Sequence, residues 1–189
     1  MTAQLTLFLH KNTCLTSSEI SDIVSVFKSV KAKRNEHLVE IGNVCRNFYF
    51  INKGSLRVYG FDKKGNDITS KFTFEGSPIT TLTSFIDQKP SRDGLIAMEK
   101  SEVLKINRTT FLGLTEKFPA FKELYTNIVQ FAFIHSQMRV YSFLGMEGID
   151  KLKWVIEHEP ELLTRISSKA VASYLGVTNS TLSKLKAKL

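Results

Sequence analysis

The sequence predicts an α+β chain: an N-terminal jelly-roll β-barrel over residues 1–118, a long pairing helix over 119–145, and a C-terminal helix-turn-helix over 146–189. Three observations carry that expectation. Between about Lys33 and Ile106, short runs of β-branched and aromatic residues alternate with Gly, Asn, Asp and Lys, the pattern of strands and turns. Ala120 to Leu144 contains no Gly or Pro and repeats its apolar residues at a near-heptad period, as a helix that pairs with another helix does. Ile166 to Leu189 sets Ala, Gly and Leu at the spacing of two short helices crossing at a tight turn, with no Asp or Glu.

Taken in order, Leu15 to Lys31 reads as an amphipathic helix, with Ile20, Ile23, Val24, Phe27 and Val30 on one stripe. Thr16 and Glu19 have the spacing of a capping box. The runs HLVEI, NFYFI, SLRVYGF, DITSKFTF, GLIAM and EVLKI read as strands, and Lys64-Gly65-Asn66 as a hairpin turn. Phe111, Leu114 and Phe118 form a short helical face ending near Pro119. In the long helix, Phe121, Leu124, Ile128, Phe131, His135 and Met138 form a narrow seam expected to join two copies of the chain, with His135 as an interface histidine. Gly145 and Gly148 read as a hinge, followed by a helix over Asp150 to His158.

The bulk composition, 42% hydrophobic and 23% charged, is that of an ordinary globular chain. No apolar run approaches the ~18 residues of a membrane span, so no membrane partner is expected. The start, MTAQLTLFLHKN, lacks the basic, apolar and small-residue regions of a signal peptide. Cys14 and Cys45 are too few for a disulfide framework or a four-thiolate cluster, and a cytoplasmic setting is expected. His10, His37, His135 and His158 are scattered, so no metal site is expected. Neither a nucleophile elbow nor a phosphate-cradling glycine loop is present, and enzyme activity is not expected.

The net charge is +8, from 26 Lys and Arg against 18 Asp and Glu, and its placement matters more than its size. From Arg165 onward the sequence is basic without an acid, as a phosphate-binding surface would be. In the terminal segment Ala172 is small enough for a close helix crossing, and Gly176 can take the positive φ of the turn. Ile166, Val171 and Leu175 face inward on the first helix, and Leu182, Leu185 and Leu189 on the second. Thr178 is placed to cap the second helix, whose other side carries Asn179, Ser180, Ser183, Lys184 and Ala187. Asn, Ser and Lys can each bond base edges in the major groove. Ser167, Lys169, Lys186 and Lys188 are better placed for phosphates of double-stranded DNA. The alternative is a helical hairpin with a solvated basic face.

The order of barrel, long helix, hinge and terminal helix-turn-helix resembles the Crp/Fnr family of bacterial transcription regulators, which carry a cyclic-nucleotide domain. The resemblance rests on LVEIG…FYFINKGSLRVY at the barrel opening and ASYLGVTNSTLSKLKAKL at the recognition segment. It implies a homodimer on an inverted-repeat operator, RNA polymerase as a further partner, and base-reading positions at Asn179, Ser180 and Lys184. The sequence stops at Leu189, so contacts from the family's usual β-wing are not expected. A sensor module acting through protein partners, without DNA, is the alternative.

In nucleotide-binding members a Gly-Glu pair and an Arg-Ser pair hold the cyclic nucleotide. By the resemblance these positions hold Thr80-Thr81 and Ser91-Arg92 here. The guanidinium is displaced by one place, which on a strand turns it to the other face. Cyclic AMP is therefore not expected to bind in the usual manner, and a different small-molecule effector is. Ser91 and Arg92 could form an altered anion pocket, or Arg92 could simply meet Asp93 or solvent. Ser136 and Gln137 fall where members contact the ligand's base, or are exposed beside the seam.

Overall fold

The computed structural model describes residues 2–189, apart from the side chain of Ser142. Met1, which begins the segment read above as lacking a leader, lies outside the described residues. Two helices, α1 (Ala3–Asn12) and α2 (Ser17–Ser25), precede the strands. These are β1 (Lys28–Ala32), β2 (His37–Val39), β3 (Asn47–Lys53), β4 (Leu56–Phe61), β5 (Asp67–Thr73) and β6 (Pro78–Ile79), then β7 (Gly94–Ala97) and β8 (Ser101–Asn107) after a short α3 (Leu82–Asp87). Six helices complete the chain: α4 (Arg108–Lys117), α5 (Pro119–Gly145), α6 (Gly148–His158), α7 (Glu161–Arg165), α8 (Ser168–Leu175) and α9 (Asn179–Lys186).

The strands form two antiparallel four-stranded sheets, ordered β1-β8-β3-β6 and β2-β7-β4-β5, the crossed order of a jelly roll. Every run read as a strand forms one. The capping box also forms: the Thr16 side chain accepts from the Glu19 N–H, and Glu19 accepts from the Thr16 N–H at 2.8 Å. Bonds accepted from the Thr16 N–H and the Thr16 hydroxyl hold the Glu19 carboxyl below its ordinary range.

The helix expected over Leu15 to Lys31 is shorter than the apolar spacing suggested. It ends at Ser25, and Lys28–Ala32 instead pairs with β8, Val30 opposite Val103. A three-residue apolar step cannot tell a helix end from the start of a strand, and the neighbouring strand decides the matter. Helix α1 was not foreseen. Its Leu5 and Leu9 are buried, and Phe8 packs on Phe50 with ring centroids 5.3 Å apart.

By its packing the chain divides into two compact units, and the division falls inside α5 rather than at its ends. The first comprises residues up to Tyr59 with Phe72–Val129; the second comprises Gly60–Lys71 with Gln130–Leu189. The first unit's core centres on Phe48, which stacks on Phe111 at 4.6 Å and meets Phe85 edge-on at 5.6 Å. In the second unit Leu152, Val155, Leu162, Val171, Leu175 and Leu182 are buried. The break expected at Gly145 and Gly148 is where α5 ends and α6 begins. A Cβ added at Gly148 would lie 3.0 Å from the Leu185 side chain, so the residue also allows a close approach.

Candidate nucleic-acid interface

Helices α8 and α9 form the expected motif, and local chemistry sets each of its ends. Ser167 caps α8, its hydroxyl accepting from the Ala170 N–H. Gly176 closes that helix at φ 68, and the Val177 N–H returns to the Ala172 carbonyl at 3.0 Å. Thr178 caps α9, accepting the Thr181 N–H at 3.0 Å. Ala172 is buried at the crossing, with Val171, Leu175 and Leu182. Leu185 is only half-buried, and Leu189 is exposed because α9 ends at Lys186 and the last inward position lies beyond it.

Asn179, Ser180, Ser183, Lys184, Lys186 and Lys188 are exposed, as are Ser167, Lys169 and Thr178. Three of these hydroxyls are partly engaged: those of Ser167 and Thr178 as caps, while that of Ser183 donates back to the Asn179 carbonyl at 3.1 Å. Arg165 does not belong to the unopposed basic surface, because it pairs with Glu161 at 3.2 Å. That surface begins at Lys169.

The long helix serves two purposes along its length. Phe121 and Leu124 are buried in the chain's own core, and Ile128 packs partly buried against it. This corrects the expected seam, since side chains spent on a barrel core are not open to a second copy. Phe131 and Met138 are exposed, and the His135 ring lies 5.7 Å from that of Phe131. Ile134, Tyr141 and Leu144, not foreseen in the seam, are also exposed. Phe131, Ile134, Met138 and Tyr141 follow one another at three- and four-residue steps, so their signal was present in the sequence. Ser136 is exposed and Gln137 half-buried.

In the barrel, the segment expected to hold an effector satisfies most of its own polar groups. The Thr80 hydroxyl donates to the Asn47 carbonyl at 3.0 Å and lies 3.1 Å from Cys45 Sγ. Ser84 accepts the Cys45 N–H at 2.9 Å and donates to the Lys89 carbonyl. Ser91 is buried and donates to the Asp93 carbonyl at 2.7 Å, while Arg92 is exposed. The two are not brought to one pocket. Burial pushes the Asp93 carboxyl above its ordinary range, and no ion pair joins it to Arg92 among the described residues. Thr81 is 1% exposed, and its hydroxyl has no partner among the described residues.

A separate polar cleft of about 340 Å³ opens beside β2 and the start of β3, lined by His37, Glu40, Asn43, Arg46 and Tyr49. Burial pushes the Tyr49 hydroxyl up to about 12, and it donates to the Leu38 carbonyl at 3.0 Å. Sequence reasoning missed this cleft because its lining joins two strands and the loop between them, with no motif across the three. No group of ligating side chains suited to a metal ion occurs among the described residues, and no helix there is long and apolar enough to cross a membrane.

Residues 29–118 match the family model of the cyclic nucleotide-binding domain. No curated protein sequence is significantly similar to the chain. Among solved structures, FixK2 from Bradyrhizobium japonicum superposes with a TM-score of 0.76 at 14% identity, over 87% of this chain and 84% of that one. The c-di-GMP responsive regulator CLP of Xanthomonas campestris gives 0.75 at 12% identity, over 92% and 91%. A regulatory subunit of a cAMP-independent protein kinase A from Trypanosoma cruzi, bound to guanosine, gives 0.52 at 21% identity, over 66% and 46%. At these identities the likeness is one of fold.

Proposed function

From a chain that carries a cyclic nucleotide-binding domain over residues 29–118 and has the fold of the Crp/Fnr regulators, we propose a DNA-binding transcription regulator, not an enzyme, that acts as a homodimer in the cytoplasm. One observation carries the reading. Helix α9, capped by Thr178 and backed by the buried Leu182, presents Asn179, Ser180 and Lys184 exposed on a surface without acids of its own. Such a helix fits a major groove, with Lys169, Lys186 and Lys188 left for phosphates and RNA polymerase as a further partner.

The barrel is read as the seat of a small-molecule effector other than cyclic AMP held in the usual way. Supporting this, the hydroxyls of Thr80 and Ser91 are engaged internally and Arg92 faces outward. The likeness to a kinase regulatory subunit favours a second reading, a sensor acting through protein partners. It covers 66% of this chain, and that reading leaves the capped, acid-free α9 without a purpose.

The dimer is expected to pair through Phe131, Ile134, Met138 and Tyr141, which together are too apolar to leave in water. Its two α9 helices would then meet successive major grooves about 34 Å apart. The test joins selection of bound sequences from random duplex DNA to sedimentation of wild type and Ile134→Glu. An inverted repeat, and a dimer that the substitution dissociates together with its operator affinity, are expected. Recovery of no sequence preference, or a dimer that Ile134→Glu leaves intact, would overturn the reading.

A further inference from the structure

Ser173 and Tyr174 of α8 belong to a hydrogen-bonded cluster that neither the fold nor the reading of DNA accounts for. Ser173 accepts the Thr69 N–H at 2.8 Å, and its hydroxyl lies 2.9 Å from both the main-chain oxygen and Oδ1 of Asp67, to which it donates. Thr69 is fully buried, and its hydroxyl is 3.0 Å from that of Ser173. Across from them Arg139 of α5 donates to three main-chain carbonyls, those of Thr69 at 2.7 Å, Tyr174 at 2.9 Å and Ser70. Its guanidinium also stacks on the Tyr174 ring at 4.2 Å and faces Phe143 at 5.2 Å. The buried Tyr174 in turn donates to Glu159 at 3.2 Å.

One cation therefore joins the C-terminal part of the long helix, the Gly60–Lys71 turn of the β4–β5 hairpin and the first helix of the motif, all within the second compact unit. Burying a guanidinium costs free energy that carbonyl acceptors and ring stacking must offset. Its hydrogen-bond acceptors here are main-chain, and the three carbonyls fix where the hairpin and the end of α8 lie relative to α5. A packing role alone would be served by an apolar side chain. A fork of donors meeting carbonyls from two elements, β5 and α8, specifies an angle.

We propose that Arg139, with Ser173 and Thr69, is a positioning element that fixes the angle at which the helix-turn-helix is presented, so that the two reading helices of a dimer engage both halves of an inverted repeat at once. This rests on the DNA-binding reading above. When one half binds, the second half binds at an effective concentration set by how well its geometry is defined. A loosened presentation lowers that concentration without altering any base contact.

Equilibrium binding of the full chain to a selected inverted repeat and to its isolated half-site tests this, with Arg139→Ala, Ser173→Ala and Thr69→Val. For Arg139→Ala, half-site affinity is expected within about twofold of wild type and full-site affinity lower by about tenfold or more. Ser173→Ala and Thr69→Val should show the same split to a smaller degree. A merely structural role would weaken both DNAs equally, and that result, or an unchanged full-site affinity, would overturn the proposal. Hydrogen exchange without DNA provides a second arm: Arg139→Ala should expose the Thr69 amide while Val171 and Leu182 stay protected. Unchanged protection at Thr69 would sink the positioning role alone. A wild type that binds neither duplex would sink the DNA reading, and the presentation role with it.

Discussion

Thr80–Gly94 in the barrel, where bases and acids balance, and Ser167–Lys188 at the C-terminus, basic without an acid, are both rich in hydroxyls, yet they spend them in opposite directions. In the first, Thr80, Ser84 and Ser91 turn inward and tie loops to one another, and the guanidinium that remains, Arg92, points to solvent. In the second, Ser167 and Thr178 tie down only the helix starts, and Asn179, Ser180 and Lys184 stand exposed on a rigid helix. The difference shows where polar chemistry is structural and where it is available. A buried hydroxyl bonded to a main-chain group supports a loop, whereas an exposed one on a capped helix can still bond a partner.

The sharpest way to break this contrast is to remove one group from each segment and ask which property changes. Lys184→Ala should cost about 1–3 kcal/mol of operator binding at one base position. Its exposed side chain supports nothing inside the fold, so thermal stability should stay within about 0.5 kcal/mol of wild type. Binding to a panel of operators substituted at single positions, alongside calorimetric melting, measures both. Parental base preference, or a stability loss equal to the binding loss, would remove Lys184 from the reading face.

Ser84→Ala is the converse and should be somewhat smaller. The buried Cys45 N–H loses its acceptor and the Lys89 carbonyl loses a donor, at a cost of about 1–2 kcal/mol of stability. Half-site DNA affinity should be unchanged. A variant as stable as wild type in urea titration would mean that water replaces the serine, and that the segment is looser than its hydrogen bonds imply.

The sequence made the second segment legible and the first largely opaque, for physical reasons. Ala172, Gly176 and Thr178 each meet a local demand of close crossing, positive φ or capping, and such demands can be read from neighbouring residues. Six of the eight strands were legible in the same way, whereas β1 read as the end of a helix and the two-residue β6 gave no pattern. Helix α3 was not: it has six residues, and Gln88 ends it at φ 54 in place of the expected glycine, with its amide bonded to the Cys45 carbonyl across the loop. The seam was half-legible. A heptad shows that Phe121, Leu124 and Ile128 need cover, and only the packed barrel shows that the cover comes from their own chain. The Arg139 cluster was invisible, because its three acceptors are main-chain carbonyls, which carry no residue-type signal.

The smallest expected effect has the opposite sign and sharpens the contrast inside the barrel itself. Thr81 is as buried as its neighbours Ser84 and Ser91, yet its hydroxyl has no partner among the described residues. A buried hydroxyl without a partner is a cost that its bonded neighbours do not carry. Thr81→Val keeps the shape and the β-branch while replacing that oxygen with a methyl group. It should leave stability unchanged or raise it by up to about 1 kcal/mol, against the loss from Ser84→Ala. Paired urea titrations of the two variants give the comparison directly. If Thr81→Val instead lost as much stability as Ser84→Ala, the Thr81 hydroxyl would hold an ordered water or bound molecule in the barrel. The distinction between spent and unspent polar groups in this segment would then have to be redrawn around that site.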